Sequence, residues 1–180
     1  VDTALAPQSR EGENPYLIWQ DLQQVMHDLV GLIRRKDELE DSLKQLASLR
    51  ERVAKVGVTG GRRFNPGWHL ALDLHNMLLV SECAAKAALT REESRGGHTR
   101  EDFPAMDPAW RQVNLVCSLD SDTGEVVVTR KPLPKMPTEL LALFDRAELA
   151  KYLTDEELRE FDAAVGGAAG SQATVEEAGK

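Results

Sequence analysis

Residues 91–104 read REESRGGHTREDFP. Eight of these fourteen residues can carry charge: Arg91, Arg95 and Arg100, four acids, and His98. Gly96, Gly97 and Pro104 interrupt the backbone among them. A solvated helix face needs no such crowding. The pattern predicts that Arg91, Glu92 and Glu93 finish a helix and that the glycines turn the chain sharply. Beyond them His98, Arg100 and Asp102 alternate, so in extended backbone their side chains share one side. An arginine can clamp a carboxylate or backbone carbonyls with a planar fork of donors. Three roles stay open for such an array: an internal ion-paired corner, a surface for another domain, or catalysis.

Upstream, the segment is helical. Asn65-Pro66 is an N-cap followed by proline at the first helical position. Leu70, Leu74, Met77, Leu78, Ser81, Ala84, Ala85 and Ala88 then recur at spacings of three and four. This predicts a helix over about 66–94. Its small residues let neighbouring helices come close. Asn14-Pro15 repeats the start signal, and Ile18, Leu22, Val25, Met26, Leu29, Leu32 and Ile33 form a stripe. That predicts a helix over about 15–35, with Arg34, Arg35 and Lys36 at its C-terminal dipole. Leu39, Leu43, Leu46, Leu49, Val53 and Val56 mark another over about 37–56, stopped by Gly57. The short connection between them makes an antiparallel pair.

Downstream the periodicity changes to two. Val113, Leu115, Cys117 and Leu119 alternate with Asn114, Val116 and Ser118. Asp120–Gly124 is a turn, and Glu125–Thr129 is β-prone, so a hairpin covers about 113–129. Such a hairpin is marginal alone and needs a surface to lie on. KPLPKMP (131–137) is extended. Short helices follow at 138–149 and 154–163, the second with a capping box, Thr154 with Glu157. The fold class is therefore mainly α: a three-helix antiparallel bundle, a small hairpin and short C-terminal helices. Residues 1–13 read as a linker, 14–135 as the main domain, 136–165 as an extension and 166–180 as a disordered tail.

Composition excludes several functions. The 180 residues carry 22 basic and 30 acidic side chains, a net charge of −8, which argues against non-specific nucleic-acid or anionic-membrane binding. No apolar run is long enough to span a membrane, and no signal peptide opens the chain. The glycines of GVTGG (57–61) fit neither GxGxxG nor GxxxxGK[ST]. His27, His69, His75 and His98 form no HExxH, so no metal site is expected. Cys83 and Cys117 are distant, form no CxxC and read as inert thiols in a reducing cytoplasm. Trp19, Trp68 and Trp110 read as packing residues. A first residue of Val1 rather than methionine points to a piece of a longer chain.

The run Arg91, Glu93, Ser94, Arg95, Gly96, Gly97, His98, Arg100, Asp102, Phe103, Pro104 resembles a signature late in the flavoprotein subunit of succinate dehydrogenases and fumarate reductases. Leu22, Gln23 and Met26 before it, and Trp110, Asn114-Leu115 and VVVTRKP after it, extend the resemblance over about 14–135. L-Aspartate oxidase carries a related element but departs after the histidine, so HTRED favours the dehydrogenase branch. The resemblance implies a parent enzyme that binds FAD and exchanges hydride with a dicarboxylate. It also implies electron flow through an iron–sulfur subunit to quinone. The parent's place would be cytoplasmic, peripheral on the inner face of the membrane. This chain lacks the family's GxGxxG after a strand, a flavin-linking histidine and the His-Gly-Ala-Asn-Arg stretch. It is thus expected to be a non-catalytic C-terminal domain, without catalytic, cofactor-binding or metal residues and inactive alone. Its partners would be the FAD-binding domain and the iron–sulfur subunit, and an uncovered docking face could make the isolated domain dimerise. Arg91, Glu93, Ser94, Arg95, His98, Arg100 and Asp102 are the candidate interdomain or assembly contacts. The alternatives are an L-aspartate oxidase-like domain and a free-standing helical adaptor.

Overall fold

The computed structural model describes residues 2–165. The chain divides into two compact units, Val1–Leu133 and Pro134–Lys180. The first runs α1 (Asp2–Leu5), a 3₁₀ turn (Ala6–Gln8), α2 (Pro15–Leu29), β1 (Ile33–Arg34), α3 (Lys36–Val53), α4 (Pro66–Thr90), β2 (Thr99–Arg100), α5 (Pro108–Arg111), β3 (Val113–Leu119) and β4 (Val126–Pro132). Helices α2, α3 and α4 pack on one another as neighbours in an up-down-up bundle. The core is Ile18, Leu22 and Val25 of α2, Leu39, Leu46, Leu49 and Val53 of α3, and Ala71, Leu74, Leu78, Ala85 and Ala88 of α4. The apolar stripes thus face inward as their spacing requires.

Both Asn-Pro signals are N-caps. Asn14 Oδ1 accepts from the Tyr16 N–H at 3.0 Å, and Asn65 Oδ1 accepts from the Trp68 N–H at 3.1 Å. Asn65 does more, because its amide nitrogen donates to the carbonyls of Thr59 and Gly61, each at 3.0 Å. It therefore holds the α3–α4 loop as well as the helix start. Asn14→Ala is expected to cost about 1 kcal/mol and Asn65→Ala about 2 kcal/mol, read from urea unfolding midpoints. Equal costs would mean that the loop bonds contribute nothing.

The first helix stops earlier than its stripe suggests. It ends at Leu29, not near 35, and Leu32 and Ile33 are exposed. The backbone from Leu32 to Arg34 instead pairs in parallel with Thr99–Arg100. The third helix ends at Thr90, with Arg91 already extended, so Arg91–Glu93 are not helical. Helix α3 covers Lys36–Val53 rather than 37–56. The hairpin pairs Val113 with Pro132 through Leu119 with Val126, longer than 113–129 by three residues. The hairpin lies against α4, where Lys86 Nζ donates to the Val126 carbonyl at 2.9 Å.

Residues 2–13, read as linker, are structured. Trp68 Nε1 donates to the Ala4 carbonyl at 2.7 Å, Val58 N to Pro7 O at 2.8 Å, and Arg10 Nε to Val56 O at 2.8 Å. Gly12 and Gly57 cross so closely that a Cβ on Gly12 would sit 2.1 Å from the Lys55 carbonyl. Only glycine permits that approach.

In the second unit the helical span 138–149 resolves into two single turns, α6 (Thr138–Leu141) and α7 (Arg146–Leu149). Residues 155–165 form α8. Its capping box is present: Thr154 N donates to Glu157 Oε2 at 2.8 Å, and Glu157 N to Thr154 Oγ1 at 3.3 Å. The tail 166–180 lies outside the described residues.

Candidate functional site

Two helices of the bundle end, and one begins, at the charged corner. Helix ends leave backbone carbonyls or N–H groups without partners. Residues 91–107 supply most of them. Arg100 is almost wholly buried, at 1 % exposure. Its Nη1 donates to the carbonyls of Ala88 at 2.8 Å, Leu89 at 3.0 Å and Arg91 at 3.1 Å, closing the C-terminus of α4. The rest of the fork grips Asp102, Nε to Oδ1 at 2.8 Å and Nη2 to Oδ2 at 2.7 Å. The Phe103 ring lies over the guanidinium, 5.1 Å away.

The backbone N–H of Lys36, the first residue of α3, also lowers the pKa of the Asp102 carboxyl. The helix's own N-cap position, Arg35, offers no side-chain acceptor. A carboxylate at a helix N-terminus meets both the free N–H groups and the positive end of the dipole. The hydrogen bonds from Arg100 hold the Asp102 carboxyl below its ordinary range, against the opposing effect of burial.

The end of α2 is closed by Arg34. Its Nε donates to Gly31 O at 2.7 Å and Val30 O at 3.2 Å. Its Nη1 lies 2.6 Å from His98 Nδ1. A guanidinium can only donate, so Nδ1 accepts and the histidine proton sits on Nε2. That Nε2 donates to the Arg91 carbonyl at 3.2 Å. Burial holds the His98 pKa below the usual histidine range; the Arg91 carbonyl opposes this, while Arg34, Arg100 and Arg91 reinforce it. His98 is therefore a neutral strut between the ends of α2 and α4.

Glu93 is fully buried. Its Oε1 accepts from Arg91 Nη1 at 2.6 Å and Arg95 Nε at 3.0 Å. Its Oε2 accepts from Arg95 Nη2 at 3.0 Å and the Asp107 N–H at 2.9 Å. Burial alone would raise its pKa, but these four donors outweigh it and hold the group ionised. Arg91 reaches on to the Trp110 and Val113 carbonyls, each at 3.3 Å, and so ties the corner to the hairpin. Ser94 Oγ donates to Phe103 O at 2.9 Å and accepts from Arg100 N at 2.8 Å. Gly96, with φ of +58°, makes the turn that lets Arg95 and His98 pair backbone to backbone.

All seven sequence candidates are thus in one network, although the extended run ends at Arg100 and Asp102 lies in the turn that follows. Sequence reasoning missed Arg34 and Asp107. Arg34 reads in the sequence as a partner of a helix dipole, but that helix ends at Leu29. Asp107-Pro108 repeats the cap-then-proline signal, and Asp107 Oδ1 does accept from the Ala109 N–H at 2.8 Å. The described residues hold two small sheets. Their sheets are a two-residue parallel pair and an antiparallel hairpin, and neither leads into a glycine-rich helix start. The buried guanidinium of Arg100 is already spent on carbonyls and a carboxylate.

A family model described as fumarate reductase flavoprotein C-term matches residues 19–146, which include the whole corner. The chain belongs to this family. It is a C-terminal domain of the succinate dehydrogenase/fumarate reductase type of flavoprotein. The succinate dehydrogenase flavoprotein subunit of Coxiella burnetii is 34 % identical over 138 residues, 73 % of this chain and 24 % of that protein. The fumarate reductase (CoM/CoB) of Methanothermobacter marburgensis has a polypeptide that is 37 % identical over 110 residues, 59 % of this chain and 20 % of that protein. The Sdh1 complex of Mycobacterium smegmatis contains a chain with TM-score 0.78 and 51 % identity, over 87 % of this chain and 27 % of that one. The chain therefore spans only about a quarter of the relatives it matches.

Proposed function

We propose that this chain is the helical part of a flavoprotein subunit that interconverts succinate and fumarate. In this reading FAD and the reacting groups belong to the rest of that subunit, and electrons leave through an iron–sulfur subunit to quinone. The complex sits peripherally at the membrane. Among the described residues no helix is long and apolar enough to cross one. The chain supplies no catalytic group. Its corner sets the shape of the face that meets the FAD-binding domain and supports assembly with the iron–sulfur subunit.

The observation that carries this reading is how the signature is used. Arg91, Glu93, Ser94, Arg95, His98, Arg100 and Asp102 spend their hydrogen bonds on helix ends and on one another, which is what a scaffold requires. The exposed residues Gly96, Gly97, Thr99 and Glu101 are left to meet a neighbour.

The test uses the full-length subunit in its complex. Arg95→Ala and His98→Ala are each expected to lower bound FAD per polypeptide and the yield of co-purifying iron–sulfur subunit, by about tenfold together. If both variants assemble, retain flavin and oxidise succinate normally, the docking role is wrong.

A further inference from the structure

The two cysteines, far apart in sequence, meet in space. Cys83 lies within α4 and Cys117 within β3, separated by 34 positions. Cys117 Sγ is 3.7 Å from the Cys83 carbonyl oxygen, which sets the two cysteines side by side. Both are free and half-buried. The expectation of two distant thiols is thus corrected by the packing of the hairpin on α4. The segment between them holds residues 91–107 of the charged corner.

We propose that Cys83 and Cys117 form a reversible intramolecular disulfide that staples the hairpin to α4 and closes a loop around the corner. The oxidant is a low-molecular-weight disulfide such as oxidised glutathione. One cysteine thiolate attacks it, forming a mixed disulfide and releasing one glutathione thiolate. The second cysteine thiolate then attacks the sulfur of the first and releases the other glutathione. One S–S bond breaks and one forms, two protein thiols are oxidised, and their protons end on two glutathione thiols. Closing the loop restricts the unfolded chain and the local opening of the hairpin.

Burial raises the Cys83 pKa, with Cys117 and Glu82 adding to it and Lys86 opposing. Glu82 is itself paired with Lys86 and with Arg50 of α3. Formation is therefore slow near neutral pH and faster as pH rises, since only the thiolate reacts.

The full-length protein that contains this chain is incubated with oxidised glutathione, quenched with an alkylating agent and digested with trypsin. The expected product joins the peptides 64–86 and 112–130 with a loss of about 2 Da, the two hydrogens removed. Dithiothreitol separates them, and Cys83→Ser or Cys117→Ser prevents the link. Oxidation is expected to slow amide hydrogen exchange in residues 113–132 by about tenfold, reversibly. Independent alkylation of both cysteines, or separate glutathione adducts on each without a cross-link, would overturn the proposal. So would a cross-link that leaves exchange in the hairpin unchanged.

Discussion

Arg100→Ala is expected to lower the unfolding free energy of the protein by about 3–5 kcal/mol, the range for breaking a buried ion pair from one side. Arg100 is 1 % exposed, and its guanidinium serves three carbonyls and one carboxylate. Truncation leaves the carbonyls of Ala88, Leu89 and Arg91 inside the protein without this donor. It also removes the stem that fills the space beside Phe103. Asp102 loses both hydrogen bonds from the guanidinium, so its position loosens too. Arg100→Lys keeps the charge but lacks the planar fork. It cannot reach the carbonyls and both Asp102 oxygens at once, so about half of the loss should remain. Urea unfolding of the three proteins decides this. A loss below about 1 kcal/mol for Arg100→Ala would mean that water replaces the guanidinium at the helix end.

The same pair of residues offers an internal check. Arg100→Ala and Asp102→Ala should combine to less than the sum of their separate costs, because each single variant strands the other partner. Simple additivity would contradict the paired geometry.

Much of this fold is legible in the sequence because helix interiors are governed by local rules. Ile18, Leu22 and Val25, or Leu39, Leu46 and Val53, declare a buried face by spacing alone. Asn14, Asn65 and Thr154 declare helix starts by the chemistry of their side chains. Helix ends are different. Leu29 ends α2 because Leu32–Arg34 pairs with Thr99–Arg100, a contact 66 residues away along the chain that no local pattern contains. Arg91 leaves α4 because Arg100 and His98 take its carbonyl. The signature 91–104 could be recognised as crowded, but the extended run it predicts stops at Arg100, and Glu101-Asp102 turns the chain. What it touches could not be read, since its targets are mostly backbone atoms. A carbonyl or an N–H has no letter in the sequence. The meeting of Cys83 and Cys117 was hidden for a related reason: the strand register and its packing on α4 decide it.

Glu93→Gln is expected to cost about 3 kcal/mol at neutral pH and progressively less in acid. Both carboxylate oxygens accept from two donors each, so whichever way the new amide turns, its NH₂ group faces two N–H donors. Arg91 and Arg95, both partly exposed, would then lose the counter-charge between them. The pH dependence follows from the direction of the shift. The folded-state pKa of Glu93 lies below its ordinary value of 4.5. The unfolded chain therefore binds the proton more readily. The contribution of the ionised group is fully present above about pH 4.5 and is lost as pH falls through the folded-state pKa. Glutamine has no proton to gain, so the stability difference between the two proteins isolates this group from Asp102 and Glu13, which titrate in both. Urea midpoints measured from pH 7 down to pH 3 should show the two curves converging below pH 4.5. Parallel curves over that range would mean that Glu93 is not held ionised by its four donors. A wild-type protein that loses no more stability than the variant between pH 4.5 and 3 would remove the electrostatic basis assigned here to the corner.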